Sequence, residues 1–180
     1  DDESLILDSI KMVLKENFGD GYSIETAESG DDALELIEEL MRDKIEIPIL
    51  ISDYVMPGIK GDEFLIQAHN MIPETLKIML TGQADLRGVE NVINHATLYR
   101  FLSKPWTTED FVLTIGEALK SFAQARQIRI QNRELEISEN KYKELVENSL
   151  DIIFSLDKEE RIRTINQSIT RILRYKPKNL

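Results

Sequence analysis

Ile47-Pro48-Ile49-Leu50-Ile51-Ser52-Asp53-Tyr54-Val55-Met56-Pro57-Gly58 is the stretch on which the fold turns. Ile47 to Ile51 is an almost unbroken apolar run of strand length, the pattern of a strand covered on both faces. It stops at Ser52-Asp53, and Met56-Pro57-Gly58 must turn the chain. Downstream, Gly61 to Met71 has helical spacing, Leu76 to Leu80 is a second buried strand, and Asp85 to Ala96 is helical again. Leu98 to Leu102 is the last strand of this series. Thr107, with Asp110 three residues on, opens a helix bearing Phe111, Val112, Ile115, Leu119 and Phe122. Strands alternating with helices imply right-handed crossovers and a parallel sheet covered on both sides.

Upstream the same alternation continues. Ile6, Ile10, Val13, Leu14 and Phe18 recur at helical spacing within Ser4 to Phe18, and Gly19-Asp20-Gly21 ends that helix. Tyr22 to Ala27 alternates like a strand. Ser29 caps the next helix, with Asp32 at the capping-box position and Ala33, Leu34, Ile37 and Leu40 on one face. The chain opens on Asp1-Asp2-Glu3 and passes directly into a helix. If those acids belong at the end of a strand, that strand lies upstream of residue 1, and the numbered chain is a fragment.

Composition narrows the function classes. With 42% hydrophobic and 31% charged residues, the chain suits a globular protein with a real core. Its apolar runs are only strand-sized, so no membrane span is expected. The acidic opening does not resemble a secretory leader. The absence of cysteine excludes disulfides and thiolate metal sites and fits a cytoplasmic location. A formal net charge of −11 speaks against nucleic-acid binding, because backbone phosphates would be repelled. The basic residues that gather after Arg126 are interleaved with Glu134, Glu136, Glu139 and Glu144, which describes a solvated helix face.

Polar residues stand just past the C-terminal ends of the expected strands: Asp53, Thr81 and Lys104, with Asp1 and Asp2 joining them if a strand precedes. Singly they read as a turn aspartate, a loop threonine and a surface lysine. Their recurrence at successive strand ends, where a doubly wound sheet forms its crevice, points to a site. Three carboxylates about 5 Å apart repel by roughly 3 kcal/mol per pair at an effective dielectric near 20. A hard divalent cation with oxygen ligands, Mg²⁺ by preference, relieves that conflict. With Lys104 added, the site is neutral before a phosphoryl group arrives, and an aspartate carboxylate is available as nucleophile. Thr81 and Lys104 could each bind a phosphoryl oxygen and stabilise the charge of the transferring group.

Together these residues resemble the response-regulator receiver family. The matching pieces are Asp1-Asp2-Glu3, Asp53 to Gly58 followed by Gly61, Leu80-Thr81-Gly82, and Phe101-Leu102-Ser103-Lys104-Pro105-Trp106. The resemblance implies a flavodoxin-like doubly wound fold whose first strand is missing from this chain. It implies that Asp53 accepts a phosphoryl group from a phosphohistidine on a sensor histidine kinase or phosphotransfer protein. Asp2, Asp53 and the Val55 carbonyl would ligate Mg²⁺, with Asp1 acting largely through water. Thr81 and Lys104 would bind the phosphoryl group, Phe101 would be the switch aromatic, and Lys104-Pro105 is often cis in the family. Beyond this self-phosphorylation and dephosphorylation, no independent enzyme activity is evident.

The receiver reading covers residues 1–122, followed by a helical linker over 123–141. From Tyr142 the chain resembles the start of a PAS domain: Tyr142 to Ser149, then Asp151 to Asp157, a second strand Ile162 to Asn166, and a short helix with Ile169, Ile172 and Leu173. Residues 142–180 would be the N-terminal part of that α+β domain, and its ligand and the output beyond residue 180 cannot be named. In the linker, Ile128, Leu135 and Tyr142 recur every seven residues, as do Ile130 and Ile137. The two sets do not form a clean coiled-coil seam, yet a continuous helix and a homodimer through it are expected. His69 and His95 lack the acidic neighbour of a phosphodonor histidine and read as structural.

Two other functions compete. A haloacid-dehalogenase-like phosphatase also uses an aspartyl phosphate, but it carries a second acid where Val55 stands and places its nucleophile before the other acids. A receiver-like binding module that is never phosphorylated would have no need of the reactive set.

Overall fold

The computed structural model describes residues 3–82 and 86–174, with the backbone alone for 86–89. It divides into two compact units, residues 1–124 and 125–180. In the first, a parallel sheet runs in the order β1 (Ile49–Asp53), β2 (Leu76–Thr81), β3 (Leu98–Ser103). Four helices and the start of a fifth accompany it: α1 (Ser4–Phe18), α2 (Gly30–Arg42), α3 (Gly61–Met71), α4 (Leu86–Ala96), and α5 (Thr108–Asn148), whose later residues belong to the second unit.

The alternation within β2 explains the two layers. Met79 points to one side, packing with Ile37 of α2, Phe64, Leu65 and Ala68 of α3, and Val92 and Ala96 of α4. Ile78 and Leu80 point to the other, packing with Leu14 of α1 and Phe111, Ile115 and Ala118 of α5. A strand reverses its side chains at every residue, so a strand apolar throughout must be covered twice. The N-caps act as the residue types require: the Ser29 hydroxyl accepts from the Asp32 amide at 3.1 Å, and Thr107 does the same for Asp110 at 3.1 Å.

One expected strand does not form. Tyr22 to Ala27 joins no ladder among the described residues. Strands need a neighbour at about 4.8 Å to satisfy their amides, and among the described residues β1 pairs only on its β2 side. Between β1 and the 22–27 segment lies an apolar cavity of about 320 Å³, with Leu7, Ile10, Leu14, Ile24, Ile49 and Ile51 among its lining residues. Alternation alone could not supply the missing ladder partner.

At the N-terminal end of β2, Lys77 is fully buried. Its ammonium donates to His69 Nδ1 at 2.9 Å and to the Ile72 and Pro73 carbonyls at 3.1 and 3.0 Å, so it caps the end of α3. Burial pushes the Lys77 ammonium down to about 8, partly offset by the Glu74 carboxylate. His69 is also lowered, by its own burial first and then by the Lys77 charge. Between pH 8 and 10.5 the unfolded chain holds the Lys77 proton more tightly than the folded one, so the contribution of Lys77 to stability rises across that window. Thermal melts should show wild type gaining on the order of 1 kcal/mol or more over Lys77→Met from pH 8 to 10. Parallel pH profiles for the two proteins would contradict this.

Candidate functional site

The C-terminal end of the sheet collects the polar residues. Asp53 is the last residue of β1 and Thr81 the last of β2, inside the strands rather than beyond them. Lys104 follows β3 directly, and its amide donates to the Thr81 carbonyl at 2.8 Å. In the ladders Asp53 stands opposite Leu80, and Thr81 opposite Ser103. Parallel pairing with near-equal strand ends therefore brings together residues far apart in sequence.

Asp53 is only 6% exposed. A carboxylate buried to that extent must be compensated. Its Oδ2 lies 2.8 Å from Lys104 Nζ, and its Oδ1 accepts from the Tyr54 amide at 2.9 Å. The Lys104-Pro105 peptide is cis, and Trp106 stacks on Phe111 with ring centroids 5.9 Å apart, anchoring the turn that carries Lys104. The Thr81 hydroxyl is buried and donates to the Gly82 carbonyl at 3.0 Å.

The turn after Asp53 is held from two sides. The Gly61 amide donates to the Tyr54 carbonyl at 2.9 Å. A Cβ at Gly61 would stand 1.9 Å from the Asp53 carbonyl oxygen, so only glycine lets α3 start this close to β1. Gly58 has φ +75°, the left-handed conformation that the expected turn needs, and a Cβ there would meet Asp31 Oδ2 at 2.9 Å. Ser52 adds a hydroxyl bond to the Asp53 carbonyl at 2.9 Å. The contributions of Ser52 and of the Tyr54 amide were not anticipated; a serine or a backbone amide beside an aspartate carries no distinguishing pattern.

Of the other expected site residues, Val55 lies in this turn, 62% exposed, and Phe101 is on β3, 44% exposed. Asp1 and Asp2 lie outside the described residues. Among the described residues no group of three acidic or imidazole side chains could hold a metal ion. The chemistry of Asp53 nevertheless fits a hard cation, since a carboxylate offers about four lone-pair sites and only two are engaged by Lys104 and Tyr54. Among the described residues no helix is long and apolar enough to cross a membrane.

Comparison with known proteins agrees with this arrangement. The family model described as the response regulator receiver domain matches residues 1–116. The chain is similar to the hydrogenase transcriptional regulatory protein HoxA of Cupriavidus necator, 29% identical over 121 residues, which cover 67% of this chain and 23% of that protein. It is also similar to the sensor kinase CckA of Brucella abortus, 33% identical over 100 residues, 56% of this chain and 10% of that one. The chain thus spans less than a quarter of these relatives. Among solved structures, a CheY-like response regulator receiver domain protein from Methanospirillum hungatei superposes with a TM-score of 0.61 at 30% identity, over 69% of this chain and 93% of that one. The signal receiver domain of an HD domain-containing protein from Pseudomonas fluorescens gives 0.61 at 29%, with the same coverage. With the family model matching well over half of its residues, and the acid, threonine and lysine gathered at one end of a parallel sheet, the chain belongs to the response regulator receiver domain family of two-component signalling.

Proposed function

We propose that Asp53 is the phosphoacceptor of a phosphorelay and that its donor is a phosphohistidine on a sensor kinase or phosphotransfer protein. A carboxylate oxygen of Asp53 attacks phosphorus as the P–N bond breaks. The departing imidazole regains a proton, and an acyl phosphate remains. The observation that carries this reading is the 2.8 Å contact between Lys104 and a nearly buried Asp53 carboxylate. Lys104 would move its charge from the carboxylate to a phosphoryl oxygen, compensating the charge of the transferring group. Asp2, Asp53 and the Val55 carbonyl would hold Mg²⁺, with Asp1 acting through water; the ion would supply the remaining charge compensation. The reading entails that acetyl phosphate labels the full-length protein once, and that chelating divalent cations stops it. Labelling that ignores chelation would remove Mg²⁺ from the proposal.

Thr81 and Phe101 would form the switch. To reach a phosphoryl oxygen, the Thr81 hydroxyl must leave the Gly82 carbonyl, and that movement frees space beside β3 for the Phe101 ring. Thr81→Ala should therefore still be phosphorylated yet lose the phosphorylation-dependent change in hydrogen exchange over Leu98 to Leu102. An undiminished exchange response in that variant would rule out Thr81 as the switch residue.

The signal would leave through α5 toward a PAS-like second unit in the cytoplasm. Two features support this: α5 is unbroken from Thr108 to Asn148, and it is followed by an antiparallel pair, β4 (Phe154–Leu156) and β5 (Ile162–Ile165), and by α6 (Ser168–Leu173). Ile128, Leu135 and Tyr142 are 57%, 58% and 69% exposed, leaving an apolar stripe for a second copy of the chain to cover as a homodimer.

A further inference from the structure

A helix leaves its last carbonyls without partners, and α5 ends with no basic residue in its last turn. The partners come from residues about twenty positions further on. Asn166 is 2% exposed. Its Nδ2 donates to the Val146 carbonyl at 2.7 Å and to the Asp151 carbonyl at 3.0 Å, while its Oδ1 accepts from the Ile153 amide at 3.0 Å. Its own amide donates to the Ile153 carbonyl at 3.0 Å. Both side-chain hydrogens are thus committed, one to the helix end and one to the turn after it, and the oxygen holds the entry to β4.

Neighbouring residues reinforce the same joint. The Gln167 amide donates to Glu147 Oε2 at 2.9 Å, and the Ser168 hydroxyl to the Ser149 carbonyl. Arg171 of α6 reaches the Glu147 carbonyl at 3.2 Å, bringing to the helix end the positive charge that α5 itself lacks there. Asn166 is the member of this set that touches the helix, the turn and the hairpin at once.

We propose that Asn166 is the positioning residue that fastens the end of α5 to the β4–β5 hairpin, so that a rotation or shift of α5 is delivered to the hairpin. A join made only of flexible chain would dissipate such a motion. Here the last turn of α5 and the start of β4 share one buried amide, and neither can move without breaking its bonds or carrying the other along. The joint itself stands on this geometry. Its use in signalling rests on phosphorylation of Asp53.

Residues 1–180 contain no cysteine, so a pair introduced at the exposed positions Lys141 and Arg163 can be spin-labelled, with any cysteine outside them replaced by serine. In the full-length protein, diluted with unlabelled chains so that only the distance within one chain is read, the distribution should be single and narrow. Asn166→Ala should broaden it and speed exchange of the Ile153 amide on the order of tenfold or more. Asn166→Asp keeps an acceptor for Ile153 and removes both donors, so that amide should stay protected while the distribution still broadens. Melting of the hairpin alone, with Phe111 to Phe122 still protected, is the extreme form of the same result. Distributions as narrow in both variants as in the parent overturn the proposal. Acetyl phosphate then tests the coupling: the Lys141–Arg163 distance should hold in the parent, because the two sides move together, while at equal labelling hydrogen exchange of the β4 and β5 amides should change in the parent and not in Asn166→Asp. An equal change in both would refute the coupling. Absence of label on Asp53 would refute the phosphoacceptor reading, and the unphosphorylated comparison would still decide the joint.

Discussion

Asp53→Asn is expected to reduce acetyl phosphate labelling of the full-length protein to background while leaving the fold in place. The substitution keeps the size of the side chain and an oxygen for the Tyr54 amide, which now stands 2.9 Å from Oδ1. It removes the carboxylate proposed to form the acyl phosphate, and an amide is not a substitute nucleophile. Lys104→Met tests a different part of the same proposed chemistry: the Asp53 carboxylate survives, but the positive charge 2.8 Å from it is gone. Loss of one charge-stabilising donor costs on the order of 10²–10³ in rate, so labelling should be slow rather than absent. Mass spectrometry of the intact protein reads both results, and a thermal melt of each variant checks that it is folded. Undiminished labelling of Asp53→Asn would move the phosphoacceptor to another residue.

The largest expected change in stability is at Leu65. This side chain is fully buried between α3 and β2, in the cluster that also holds Phe64, Met79 and Val92. Truncation to Ala removes its transfer free energy and leaves a cavity that close-packed neighbours fill only in part, at a cost of about 2–5 kcal/mol. A domain of this size has about 5–15 kcal/mol in total, so the urea midpoint should fall sharply. Leu113, on the outer side of α5 and 61% exposed, provides the contrast: Leu113→Ala should stay within about 0.5 kcal/mol of the parent. Equal effects at the two positions would mean that α3 does not pack on the sheet as described.

Much of this protein was determined locally. The apolar runs at Ile49 and Leu76 become strands covered on both faces, whereas the run at Leu98 becomes a strand with Arg100 and Phe101 exposed, paired on β2. Ser29 and Thr107 start helices because a short hydroxyl side chain can reach an orphan amide three residues on. The glycine at position 58 marks a turn that other residues adopt only under strain. Residue type and order also singled out Asp53, Thr81 and Lys104, since a strand's C-terminal end is where a parallel sheet gathers its reactive groups.

What depends on distant partners was settled only in three dimensions. Tyr22 to Ala27 has the alternation of a strand, but alternation describes side chains, and a ladder requires another backbone beside it. Lys77 looks like an ordinary surface lysine in sequence; it is buried because His69 and the end of α3 surround it with acceptors. Gly61 is tied to its residue type by the Asp53 carbonyl, a contact that exists only once α3 has docked. Asn166 reads as one more polar residue at the end of a strand. It serves the end of α5 because the hairpin folds back across the last turn, a closure between residues about twenty apart that no local pattern records.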